Sequence, residues 1–178
     1  LMCDVQFVLE GNDDYSSYIS TFEAAGCEAV ISVSMPATAV PFFVQYRQVN
    51  PEIGIAGFGN CYDDSTLANG GKYVEGLAMP VAYFNNVDDP ACKTFIDAFV
   101  AKAGRNPNTL DAQAYGAALM ILEAVDKTGS IDRADIRDYI AKTTFTGIDG
   151  VTAFDETGAA IKGYYQVQVR DGAFVLIG

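Results

Sequence analysis

The chain has 178 residues, half of them apolar and 19% charged, the composition of a folded protein rather than a disordered one. Eleven basic residues against 23 acidic ones leave a formal charge of −12, which makes nucleic-acid backbones and anionic membrane surfaces poor partners. Histidine is absent, so Ser-His-Asp and Cys-His catalysis and any imidazole-bearing zinc site are excluded. No apolar run approaches the ~20 residues that a membrane-spanning helix needs.

In chain order, Val5-Gln6-Phe7-Val8-Leu9 is expected to be a strand by its β-branched and aromatic content. Gly11-Asn12-Asp13-Asp14 follows as a loop, and Asp14 or Ser16 can cap a helix whose Tyr15, Ile19, Phe22 and Ala25 share one face. Gly26 ends that helix. Ala29-Val30-Ile31-Ser32-Val33 predicts a strand covered on both faces. Pro36 suits the first turn of a second helix, continued by Val40, Phe43, Val44 and Arg47. Further strands are expected over residues 53–57 and 74–80, the last extending towards Phe84. This alternation implies an α/β layered sheet with parallel strands and right-handed crossovers.

The second half reads differently. Asp88-Asp89-Pro90 opens a helix with the stripe Phe95, Ile96, Phe99 and Ala103, closed by Gly104. Ala114, Ala117, Ala118, Ile121, Leu122 and Val125 mark a second long helix, ended by Gly129. Asp132 can cap a third, carrying Ile136, Tyr139 and Ile140. After Val151-Thr152-Ala153-Phe154 and the turn Asp155-Glu156-Thr157-Gly158, two strands over 164–170 and 173–177 meet across Asp171-Gly172, a strong two-residue hairpin signal.

Cys3, Cys27, Cys61 and Cys92 form no CxxC pair, which argues against a zinc ribbon or a dithiol redox site. They are expected as buried or half-buried thiols. A disulfide in an exported protein stays open, with no pair specified. Leu1-Met2-Cys3 lacks the regions of a signal peptide, and Met2 is not the small residue of a lipoprotein cleavage box. The start is read as a cut inside a larger chain.

In open α/β sheets ligands sit beyond the carboxyl ends of the strands. Four loops qualify, over residues 11–14, 34–38, 58–64 and 79–86. Ser34-Met35-Pro36 opens a helix whose free amides favour a polar ligand atom, or else Ser34 simply caps it. Phe58-Gly59-Asn60 joins an aromatic wall to a short polar group, suited to a small amphiphile. Asp63 or Asp64 reads as a turn cap, while Tyr83 and Phe84 close a cleft or pack beneath a loop. The adjacent acid pairs stand where helix starts want acids, not at the spacing of a general acid/base pair. No calcium loop or phosphate-cradling loop occurs.

From Asp14 onward, an ordered series of segments accumulates: Asp14-Tyr15-Ser16, Val74-Glu75-Gly76 before Met79-Pro80, Asp88-Asp89-Pro90-Ala91, and Ala114-Tyr115-Gly116-Ala117. Thr144-Phe145-Thr146-Gly147, the run from Gly150 to Gly158 and the run from Tyr164 to Gly172 complete it. In this series the chain resembles the C-terminal portion of a type I periplasmic binding protein of the branched-chain amino-acid branch. The resemblance implies a partial two-lobed fold with flavodoxin-like lobes. Residues 1–84 would belong to the second lobe, 85–160 to the first, and 161–178 to a hairpin returning to the second lobe or hinge.

It further implies the solute-binding subunit of an ABC uptake transporter, periplasmic or extracellular, with or without a lipid anchor in its full-length form, and without enzymatic activity, cofactor or metal. The partners would be a membrane ABC permease and a small solute: an amino acid, an amide or a small organic acid. Ligand contacts would fall at Ser34, Met35, Phe58, Asn60 and Leu110. Amino-acid-binding relatives commonly carry an acid in the third loop; this chain has Gly59-Asn60 there and Asp63 later, leaving an amide or neutral solute open. Missing strands would expose sheet edges, so the chain is expected either to be part of a longer protein or, as an excised piece, to be stabilised by self-association. An extracellular sensor of the same fold, or a flavodoxin-like enzyme, is the alternative.

Overall fold

The computed structural model describes residues 5–9, 11–85 and 88–177. In chain order these form α1 (Ser16–Ala24), β1 (Ala29–Ile31), α2 (Pro36–Val49), β2 (Gly54–Ala56), α3 (Asp64–Gly70), β3 (Ala78–Val81), α4 (Pro90–Ala103), α5 (Thr109–Thr128), α6 (Arg133–Lys142), β4 (Phe145–Gly147), β5 (Gly150–Phe154), β6 (Ala160–Lys162), β7 (Tyr165–Arg170) and β8 (Ala173–Leu176). Two compact units result. The first runs to Val81 and resumes at Gln166; the second spans Ala82–Tyr165.

The first unit holds a five-stranded sheet in the order β1-β2-β3-β7-β8. β1 pairs with β2 and β2 with β3 in parallel, while β7 and β8 form an antiparallel hairpin. This is the expected α/β sheet. Its core joins Val30, Ile55, Leu77 and Met79 to Tyr15 and Ile19 of the α1 region and to Phe42, Phe43 and Tyr46 of α2. Phe42 is the hub of an aromatic cluster, with the rings of Tyr15, Phe43 and Tyr46 each 5.7 Å away and Phe22 at 6.4 Å.

The hairpin is tied to β3 by a device visible in the Val74-Glu75-Gly76 segment. Asp171 and Gly172 both take positive φ (52° and 71°), as a tight two-residue hairpin turn requires. The Glu75 carboxylate accepts both of their amide protons, at 2.8 and 3.3 Å. Gly76 N–H donates to the Val169 carbonyl at 2.9 Å, and Gln168 Nε2 to the Gly76 carbonyl at 3.1 Å. Glu75→Ala is therefore expected to cost about 1 kcal/mol and to speed hydrogen exchange at Asp171 and Gly172. Unchanged exchange there would contradict the clamp.

Three expectations are corrected in this unit. Residues 5–9 form no strand, and Phe7 is 89% exposed; β-propensity reports packing on a pleated surface, and these side chains lack one. β1 is not covered on both faces. It stands at the edge of the sheet, with only Val30 buried and Ile31 74% exposed. The strand expected from residue 74 begins at Ala78, because Val74 closes a 3-10 turn and Gly76 at φ +81° breaks the extended run.

The second unit packs α4, α5 and α6 with an antiparallel sheet, β4-β5-β6. Its helix starts are capped as the sequence suggests: Asp89 accepts from Ala91 N–H and Asp132 from Ala134 N–H. Asn108 and Asp111 form a reciprocal capping box on α5. Gly104 and Gly129 follow α4 and α5. The apolar residues that mark α5 in the sequence do not form its buried face. Thr109, Ala112, Gly116 and Ala124 do, while Ile121 and Leu122 are exposed. The Asp155 carboxylate accepts from Thr157 Oγ1, Thr157 N–H and Ala159 N–H, which holds it below the usual aspartate range and fixes the turn into β6. Strands β4 and β6, three residues each, were not foreseen.

A buried ion pair links the β4–β5 turn to β6, beside α5. Lys162 Nζ donates to Asp149 Oδ2, with the two side chains 8% and 3% exposed. Gly116 makes room for the pair: a Cβ there would stand 3.3 Å from Asp149 Oδ1.

Candidate functional site

The register Ile31↔Ala56 places the carboxyl ends of β1 and β2 side by side. Ser32 N–H extends the pairing to the Ala56 carbonyl at 2.9 Å, and Gly57 N–H reaches Ala78 O at 2.9 Å. The chain segments after these strands, 32–35 and 57–60, therefore leave the sheet from one edge. Ser34 does not cap α2. The cap position is Met35, which gives no side-chain hydrogen bond, and the Ser34 hydroxyl lies 2.7 Å from that of Ser32. Met35, half-exposed, accepts through its thioether sulfur from Asn60 Nδ2 at 3.2 Å. Phe58 precedes the 3-10 turn Gly59–Cys61, its ring half-exposed.

Gly59 sets this turn against the sheet, since a Cβ there would stand 3.0 Å from the Pro80 carbonyl oxygen. Ser34, Met35, Phe58 and Asn60 thus lie on two neighbouring segments. Ser32 was missed by the sequence reading, although in extended chain it shares a face with Ser34, two residues on. Leu110 belongs to the second unit, half-exposed in the first turn of α5. Asn86, the end of the fourth loop, lies outside the described residues, as does Cys3.

The remaining candidates have structural work. Asp63 caps α3, accepting from Ser65 N–H at 2.9 Å. Tyr83 is buried, edge-on to Phe95 at 6.0 Å, and its hydroxyl accepts from Cys92 Sγ at 3.6 Å. Phe84 packs on Tyr165. Burial pushes the Cys61 thiol up to about 11, which keeps it protonated at neutral pH. No group of three or more Cys, Asp or Glu that could hold a metal occurs among the described residues. A shallow cavity of about 500 Å³ lies between α2 and α3, walled by Val40, Pro41 and Val44 and reaching Pro36 and Ala37 at the start of α2.

The side chains after β1 and β2 thus supply hydroxyls, one carboxamide, a thioether and an aromatic face. None ionises near neutrality, and no base stands beside either serine hydroxyl among the contacts described. Such a set is suited to holding a small molecule by shape and hydrogen bonds.

A family profile described as periplasmic binding protein matches residues 4–173. The chain belongs to the periplasmic binding protein family. Among curated members it is 26% identical, over 150 residues, to the leucine-, isoleucine-, valine-, threonine- and alanine-binding protein of Pseudomonas aeruginosa, covering 83% of this chain and 39% of that one. The crystal structure of a leucine-binding protein from Thermotoga maritima superposes at TM-score 0.87 with 27% identity, covering 97% of this chain and 50% of that one. A solute-binding protein of an ABC transporter from R. palustris, solved in complex with benzoate, shares the fold at TM-score 0.84 and 18% identity, over 96% of this chain and 48% of that one. The chain thus spans half or less of the length of these binding proteins. No helix among the described residues is long and apolar enough to cross a membrane.

Proposed function

We propose that this chain forms the ligand-binding part of an extracytoplasmic solute-binding subunit that serves an ABC uptake transporter. Family membership carries the reading, and the uncharged polar cluster at the ends of β1 and β2 supplies the contact surface. A small solute bound in the cleft of the two-lobed protein selects its closed arrangement. The shift is set by the solute's differential affinity for closed and open states, and a membrane permease then receives the closed form. Relatives named for leucine and other small amino acids, and one solved with benzoate, support a small solute with an apolar body and one or two polar ends. Ser34, Met35, Phe58 and Asn60 contact it from the first unit and Leu110 from the second.

Thermal-shift screening of the intact protein against amino acids, amides and aromatic acids tests this. A solute at 100 times its dissociation constant adds about 2.7 kcal/mol of stability, read as a raised melting temperature. No shift from any class would contradict the proposal. Asn60→Ala is expected to keep the fold, since its described side-chain bond is a weak one to sulfur, and to weaken solute binding about tenfold in titration calorimetry. Unchanged affinity would remove Asn60 from the site.

A further inference from the structure

We infer that the solute presents to the first unit a neutral polar group on an apolar body, not an ammonium, and that Asn60 is the residue that sets this choice. The inference rests on the solute-binding reading above and narrows it to a class of ligand. It begins from the hydrogen bond between Asn60 Nδ2 and Met35 Sδ. A thioether is a weak acceptor, so this bond yields readily to a ligand oxygen. The carboxamide then offers donors from Nδ2 and an acceptor at Oδ1, the pattern that pairs with a carbonyl, an amide or a hydroxyl.

The surroundings point the same way. Ser32 and Ser34 contribute hydroxyls, 2.7 Å apart, and Phe58 and Met35 contribute half-exposed apolar surface. None of these five side chains carries a charge. The acids nearest in sequence serve α3: Asp63 accepts from the Ser65 amide at its first turn, and Asp64 lies within that turn. An ammonium brought against this surface would lose water without gaining a carboxylate, which is costly. The chain's charge of −12 does not replace that contact, because distant charges are screened over about 8–10 Å.

The test uses matched pairs in which a hydroxyl replaces the ammonium, the hydroxy acid being the des-amino member: valine and 2-hydroxy-3-methylbutanoate, leucine and 2-hydroxy-4-methylpentanoate, phenylalanine and 2-hydroxy-3-phenylpropanoate. Each is titrated calorimetrically into the intact protein and into Asn60→Asp, whose folding is checked by circular dichroism. In the unaltered protein, the des-amino member of the best-bound pair is expected to bind at least tenfold tighter. Asn60→Asp should move the ratio at least tenfold towards the amino acid. An amino acid preferred by the unaltered protein would overturn the inference while leaving solute binding intact. A ratio unmoved by Asn60→Asp would overturn the role given to Asn60. No binding by any member at 10 mM, with none in the wider screen, would remove the solute-binding reading and this inference with it.

Discussion

Asp149→Ala is expected to cost about 3–5 kcal/mol, because it strands the Lys162 ammonium among buried groups. Both side chains are nearly solvent-free, so the remaining charge has neither water nor a partner. The position matters for more than stability. Asp149 Oδ1 stands against Gly116 on α5, the helix whose first turn carries Leu110. Replacing both partners together, Asp149→Leu with Lys162→Met, removes the stranded charge and should recover most of the loss. Urea denaturation followed by circular dichroism measures both, as the chain has no tryptophan to report by fluorescence. A single variant within about 0.5 kcal/mol of the unaltered protein would show that water reaches Lys162.

Phe42→Ala carries the second large effect, a loss of about 3–5 kcal/mol. Its ring lies within 6.4 Å of four others, so truncation leaves a cavity whose walls are stiff aromatic side chains. Phe42→Leu keeps most of the volume and should cost about 1.5 kcal/mol. Phe42 stands two turns into α2, which starts just after Met35. The alanine variant is therefore also expected to lower solute affinity, which calorimetry at a temperature where the variant stays folded would detect. A Phe42→Ala loss no larger than that of Phe42→Leu would mean that the cluster collapses into the gap.

The parts of the fold legible in sequence are those fixed by local chemistry. Asp89 and Asp132 cap helices through bonds to residues two positions on, and Asp171-Gly172 makes its turn from its own backbone preferences. The alternation of α1, β1, α2, β2 and β3, and the succession α4, α5 and α6, followed from the same short-range signals. What escaped depends on partners distant in the chain. The Asp149–Lys162 pair spans 13 residues, and the Met35–Asn60 contact spans 25. Val5 to Leu9 has strand composition but no packed surface. The exposed flank of β1 and the buried face of α5 are set by which elements lie against them, not by their own apolar spacing.

The candidate site divides along the same line. Ser34, Met35, Phe58 and Asn60 could be nominated from sequence because strand-end loops of an α/β sheet are where ligands bind; the structure adds that they lie on neighbouring segments. Ser32 was hidden inside a strand expected to reach Val33, whereas β1 stops at Ile31. The one-residue difference between Ser34 and Met35 as the cap of α2 changes the chemistry, since it leaves the Ser34 hydroxyl with Ser32 rather than with the helix amides.

The central claim is tested most directly by backbone amide chemical shifts of the isotopically labelled intact protein, titrated with whichever solute most raises the melting temperature. The account predicts that, within the first unit, the largest changes fall in residues 32–35 and 57–61. Changes centred on the groove between α2 and α3, with residues 32–35 and 57–61 unmoved, would contradict it.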